Sequence, residues 1–115
     1  MNREEGKAFP MDKSEVIEKL KKYAILVQTI LTPKKIILFG SYARGNPHEY
    51  SDIDVAIIVD EIDGDLLEIE TALFKLRRDI DFFIEPVLLE EGNDPSGFLE
   101  YITKHGEVIY SRTDL

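Results

Sequence analysis

The residues best suited to chemistry lie in one stretch, Gly40 to Asp54, which reads GSYARGNPHEYSDID. It opens on Gly40-Ser41 and closes on Asp52-x-Asp54. An apolar run from Lys35 to Phe39 leads in, and another from Ile53 to Val59 leads out. The pattern predicts a strand, a glycine turn, one short helical turn over Tyr42-Ala43-Arg44, a loop, and a second strand. Side chains alternate faces along a strand. Asp52 and Asp54 therefore point one way with Ala56 and Ile58, while Ile53, Val55, Ile57 and Val59 point into a core. Two carboxylates side by side repel each other unless a cation sits between them. Mg²⁺ takes oxygen ligands, commonly one or two carboxylates together with substrate phosphates. Gly40-Ser41 offers the other half of such a site. Glycine lets backbone approach a phosphate closely, and successive N–H groups in a turn form an anion nest. The helical turn after it directs its positive end to the same place. An isolated Asp-x-Asp or Gly-Ser is commonplace; their conjunction between two apolar strands carries the reading.

Gly40-Ser41-x-Ala43-Arg44-Gly45, followed by Ser51-Asp52-Ile53-Asp54, resembles the signature of the DNA polymerase β-type nucleotidyltransferase superfamily. The short chain is similar to the minimal nucleotidyltransferases, the MntA-like antitoxins paired with a HEPN-domain partner in toxin–antitoxin modules. The resemblance runs from about Ser14 to Tyr110. It implies an α+β polymerase beta-like fold: a small mixed β-sheet with helices packed on one face and the carboxylates on the other. It implies that Gly40 and Ser41 hold the β- and γ-phosphates of ATP, and that Arg44 steadies a phosphate or pairs with a carboxylate. Asp52 and Asp54 would bridge two Mg²⁺ ions. The implied reaction is transfer of AMP to a tyrosine of a HEPN-domain toxin, which neutralises it. Two rival readings are a binding-only antitoxin and an enzyme that modifies a small molecule.

Two-metal phosphoryl chemistry asks for a third carboxylate. The run Asp79-Ile80-Asp81-Phe82-Phe83-Ile84-Glu85 reads as a third strand, with Asp79, Asp81, Phe83 and Glu85 on one face. The superfamily places its third carboxylate in an apolar–Asp–apolar context. By that resemblance Asp81 is the third catalytic and metal-binding residue, with Asp79 as the fallback. His48 lies in the loop before Asp52, where a lone histidine is more often solvated than a ligand.

Other elements must position this group. Val16, Leu20, Tyr23, Ala24, Val27, Ile30 and Leu31 recur at helical spacing. Asp12 or Ser14 is the expected cap, Asp12 with Glu15 has capping-box spacing, and Pro33 is the stop. A second helix is expected from about Asp65 to Arg78. Leu66, Ile69, Leu73 and Leu76 form its stripe, supported by Leu67 and Ala72. Lys75, Arg77 and Arg78 suit the negative end of its dipole; they are also local candidates for touching a triphosphate, but the dipole role is the commoner one. A short helix from Ser96, a C-cap at Gly106 and a strand over Glu107 to Tyr110 complete the chain.

Length and charge bound the rest. A chain of 115 residues with 43% hydrophobic content makes one domain with a real core. The expected division is a flexible tail over 1–11 and a single nucleotidyltransferase domain over 12–115. Cysteine is absent, which removes disulfides and thiolate metal sites. There is no signal-peptide core and no run of membrane-spanning length, so a cytoplasmic location is expected. The net charge of −9 is uneven: nine Lys/Arg and five Asp/Glu lie in 1–45, five and eighteen in 46–115. Nucleic acid needs a dense basic face, so it is not the expected substrate. An acidic surface suits a basic protein partner.

Overall fold

The computed structural model describes residues 10–113. The expected tail at 1–11 falls mostly outside them, but Met11 packs on the core and its N–H donates to the Tyr42 hydroxyl at 3.3 Å. In chain order the elements are α1 (Lys13–Val27), β1 (Lys35–Phe39), α2 (Ser41–Arg44), β2 (Ile53–Val59) and α3 (Leu66–Leu76). A 3₁₀ turn (Arg77–Asp79), β3 (Ile84–Glu90), α4 (Phe98–His105) and β4 (Glu107–Ser111) come after them.

The four strands form one mixed sheet in the order β3-β2-β1-β4. β1 runs antiparallel to both β2 and β4, and β2 runs parallel to β3. The β2–β3 link passes through α3, because a parallel pair needs a crossover. Alternation along the strands divides the sheet. Ile36, Leu38, Ile53, Val55, Ile57, Ile84 and Leu88 face one side, in one core cluster with Val16, Leu20, Tyr23, Ala24 and Val27 of α1 and Leu73 of α3. A fully buried Val or Leu contributes about 1.5–3 kcal/mol relative to exposure. A register shift between Ile36 and Ile37 on the β4 side lets Ile109 and Tyr110, though consecutive, both join this core.

Tyr23 brings a polar group into that core. Its hydroxyl donates to the Leu73 carbonyl at 2.7 Å, tying α1 to α3. Burial pushes the phenol well above its ordinary value, so it stays a donor at any physiological pH.

The expected mixed α+β sheet is present, and the β1 and β2 boundaries match the apolar runs. Three details differ. α4 packs on the opposite face, with Ile102 against Ile37, Ala56 and Ile58. Asp12 occupies the N-cap of α1 without a side-chain cap bond, whereas Asp65 caps α3 by accepting from Glu68 N–H at 3.1 Å. The third strand is not Asp79–Glu85. The chain first closes a 3₁₀ turn at Asp79, with Asp81 N–H donating to Arg77 O at 2.8 Å, and β3 begins only at Ile84.

Gly106 joins α4 to β4 at a point without room. A Cβ there would lie 2.5 Å from Ile37 Cγ2 and 2.7 Å from both Leu38 O and Ile102 O. Overpacking of this kind costs about 1–3 kcal/mol. Thermal melting of Gly106→Ala should show a loss of several degrees, since about 1 kcal/mol shifts a domain of this size by roughly 4 °C or more. An unchanged melting temperature would mean that the α4–β1 contact is looser than described.

Candidate active site

The open part of the face opposite α1 and α3 holds the carboxylates. Antiparallel pairing sets Phe39 opposite Asp54, and parallel pairing sets Asp54 opposite Glu85. Phe39, Asp54 and Glu85 thus form one row across three strands, on the same face. Asp52 precedes β2 by one residue and is exposed. The loop delivering it is tied by Ser51, whose Oγ accepts from His48 N–H at 2.6 Å while its own N–H donates to His48 O at 3.0 Å. His48 is exposed and supplies backbone only to this loop. Phe98 at the start of α4 meets Phe39 edge-on at 5.6 Å and bounds the row on the α4 side.

Gly40 links the turn to the carboxylates. Its φ of 78° and ψ of −155° lie in a region essentially confined to glycine. A Cβ on Gly40 would stand 2.2 Å from Asp54 Oδ2. The backbone turn and the carboxylate are therefore in contact only because no side chain intervenes. After it, α2 is four residues long and anchored by Tyr42, which is buried. The first N–H groups of a helix have no partner within it. The N–H groups of Ser41 to Ala43 are thus available beside Asp54. Four residues give little macrodipole, so these local donors matter more than the helix axis.

The electrostatics reflect this crowding. Burial holds the Asp54 carboxyl above the ordinary carboxylate range, and the charges of Asp52 and Glu85 push the same way; Arg44 opposes them. Arg44, at the exposed end of α2, is the cation of the group. Glu85 has a second neighbour in Arg77, whose Nη1 lies 3.3 Å from its Oε1 and also donates to Ile84 O at 2.8 Å.

Asp52, Asp54, Gly40, Ser41 and Arg44 come together as expected from their spacing. Asp81 does not join them. Its Oδ2 accepts from Lys19 Nζ of α1 at 2.7 Å, and its Oδ1 accepts from Phe83 N–H at 2.7 Å. Both bonds hold Asp81 as a turn residue facing α1. Asp79 is exposed in the 3₁₀ turn. The third carboxylate beside Asp54 is Glu85. Strand alternation places it on the right face, but the apolar–Asp–apolar pattern points to Asp81 instead. Of Lys75, Arg77 and Arg78, only Arg77 pairs with the carboxylate group.

No three His, Asp or Glu side chains among the described residues already converge as a metal cage. The donor set nonetheless suits Mg²⁺: all-oxygen, partly desolvated, self-repelling, and open on one side for water and phosphate. A group whose folded pKa is raised contributes stability below its unfolded pKa of about 3.9, and that contribution is lost as pH rises through the folded pKa. Charged Asp54 therefore destabilises the fold at neutral pH. Without divalent metal, Asp54→Asn should melt higher than wild type at pH 8, and the gap should close as pH falls toward 4. Equal melting curves at pH 8 would contradict this. Gly40→Ala should do the reverse, costing about 1–3 kcal/mol for its backbone alone.

Comparisons with known proteins identify the family and the fold. Residues 16–115 match the family model described as Polymerase beta, Nucleotidyltransferase. The chain is 34% identical over 98 residues to “Putative protein adenylyltransferase MJ0141” of Methanocaldococcus jannaschii, covering 80% of this chain and 96% of that protein. It is 39% identical over 79 residues to “Putative protein adenylyltransferase MJ0604” of the same organism, covering 67% and 78%. The fold is similar to a crystal structure of a “putative nucleotidyltransferase” from Sulfolobus solfataricus, with a TM-score of 0.64 at 20% identity over 96% of this chain and 94% of that one. A toxin–antitoxin structure with AMP-PNP has a TM-score of 0.53 at 19% identity, over 90% and 76%. A mutant of the MntA-HpeT toxin–antitoxin has a TM-score of 0.51 at the same identity and coverage. At those identities the likeness is one of fold. With the family model spanning most of its length, this chain belongs to the polymerase beta nucleotidyltransferase family.

Proposed function

We propose that this nucleotidyltransferase is a Mg²⁺-dependent protein adenylyltransferase that moves AMP from ATP to a tyrosine of a HEPN-domain toxin and so neutralises it. The observation that carries the reading is the cluster of Asp52 and Glu85 around Asp54, with Asp54 set against the Gly40 turn on an open sheet face. The names of the two M. jannaschii relatives support protein as the acceptor, and the toxin–antitoxin neighbours support a toxin partner.

In this reading the turn binds the β- and γ-phosphates through the N–H groups after Gly40 and through the Ser41 hydroxyl. Arg44 balances charge beside them. Asp52 and Asp54 are the metal ligands, and Glu85, rather than Asp81, is the third carboxylate. Bound Mg²⁺ would polarise the α-phosphate and stabilise charge on the departing pyrophosphate. A carboxylate of the group accepts the proton of the tyrosine hydroxyl as its oxygen attacks the α-phosphorus. The bond from that phosphorus to the β-phosphate bridging oxygen breaks, and pyrophosphate leaves.

The test uses ATP labelled in the α-phosphate, Mg²⁺, and a purified HEPN-domain toxin as the acceptor. Wild type should label the partner, and Asp52→Asn/Asp54→Asn should not. Glu85→Gln should lower transfer by roughly 100-fold or more, the usual scale for removing a group that handles the proton. Asp81→Asn should retain transfer within a few-fold while lowering the melting temperature through loss of its tie to Lys19. If Asp81→Asn abolishes labelling and Glu85→Gln does not, the assignment of the third carboxylate is wrong. If neither wild type nor the double variant labels the partner, yet both silence it, the protein is a binding-only antitoxin.

A further inference from the structure

The exposed side of α3 carries apolar surface that the fold does not use. Helical spacing assigns Leu67 to the support of the core stripe, but it is 72% exposed; Phe74 and Phe82 are exposed as well. Together they line a groove of about 470 Å³, edged by Lys75, Arg77 and Arg78, with Glu70 as the acid among its described lining residues. Three of the five Lys/Arg in residues 46–115 thus gather at one place on a strongly acidic part of the chain. Arg77 is engaged, lying 4.9 Å over the Phe74 ring and pairing with Glu85. Lys75 and Arg78 have no ion pair among the described residues.

The groove adjoins the carboxylate group at the sheet edge through Arg77, which lines it and pairs with Glu85. Phe82 in its wall is followed by Phe83, whose carbonyl accepts from Ile53 N–H at 2.8 Å, between the two catalytic aspartates in sequence. The Phe83 ring meets Tyr50 edge-on at 6.4 Å. Tyr50 is 68% exposed, two residues before Asp52, and has a positive φ of 64°. Exposed aromatic residues therefore continue from the groove wall at Phe82, through Phe83, to Tyr50 in the loop that carries Asp52.

We infer that this groove and its aromatic continuation are the docking surface for the acceptor protein, and that they take an acidic segment of it with an apolar residue at its centre. The inference rests on the adenylyltransferase reading for the partner's identity. Charge selects the occupant. A local cationic rim on a chain of net charge −9 attracts a short acidic segment, whereas an extended polyanion such as nucleic acid meets repulsion from the rest of the surface.

The test measures the Kd of the purified HEPN-domain toxin used as acceptor above for wild type, Lys75→Glu/Arg78→Glu and Leu67→Asp. Arg77 is left intact because it touches Glu85. Circular dichroism melting checks folding, and affinity for a non-hydrolysable ATP analogue checks the nucleotide site. The expected result is a Kd weakened by about 10-fold or more for both variants. Nucleotide affinity stays unchanged, and for Lys75→Glu/Arg78→Glu the KM for the partner rises while kcat holds. Wild-type binding should weaken as salt is raised. An unchanged Kd for the charge-reversed variant overturns the inference, as does a wild type that does not bind the HEPN protein. It is also overturned if the protein alone is a dimer that these variants dissociate. If wild type binds in the expected residue-dependent manner but transfers no AMP, the docking surface stands and the transferase reading fails.

Discussion

The contact of Gly40 with the Asp54 carboxylate is the constraint on which the site depends. It brings a backbone turn rich in unpartnered N–H groups against a carboxylate that is partly desolvated and crowded by two others. Neither side tolerates much displacement. A side chain at position 40 would occupy the space of Asp54 Oδ2, and the backbone there adopts a conformation that other residues avoid. In the proposed reading, phosphate donors and metal ligands are therefore neighbours before any ligand arrives. The cost is repulsion among Asp52, Asp54 and Glu85, which the rest of the domain must outweigh.

The sheet supplies the counterweight by using its two faces differently. One face is closed by α1 and α3 over a continuous apolar cluster, with the Tyr23–Leu73 bond locking the helices together. The other is closed only in part, by α4 over Ile37, Ala56 and Ile58. The uncovered row Phe39–Asp54–Glu85 is where polar chemistry can meet solvent and substrate. Strand alternation makes this division automatic: the same geometry that places Asp54 outward places Ile53 and Val55 inward. Placement of the candidate site carboxylate and core formation are thus one property of β2. Arg77 extends the arrangement to the sheet edge, satisfying the Ile84 carbonyl and Glu85 with one side chain.

Much of this is legible in the sequence, for a physical reason. β1 and β2 are apolar runs bounded by Gly40, Pro33 and acidic residues, so period-two alternation and turn chemistry agree on their boundaries. The Gly40–Asp54 group is readable because all its members lie on or beside those strands. The third strand is harder. Asp79 to Glu85 mixes charge with aromatic residues and alternates as a strand would, but Asp81 and Asp79 belong to the turn that closes α3. Ile84, Pro86 and Leu88 are the buried positions, and Glu85 lies between them on the site face. Pro86 weakens the strand signal, although proline is accepted on an edge strand, and β3 is one. The outward turn of Leu67 is not readable either, because helical spacing alone does not say which flank of a stripe meets the sheet.

The central claim is that crowded carboxylates against the Gly40 turn form a site that a divalent cation relieves. The most direct measurement is the Asp54 side-chain carboxyl titration, monitored by carbon-13 NMR with and without Mg²⁺. The account predicts a midpoint above the ordinary carboxylate value of about 3.9 without metal, and a fall when Mg²⁺ is added, because a bound cation favours the charged form. A midpoint at or below the ordinary value, unmoved by Mg²⁺, would contradict it.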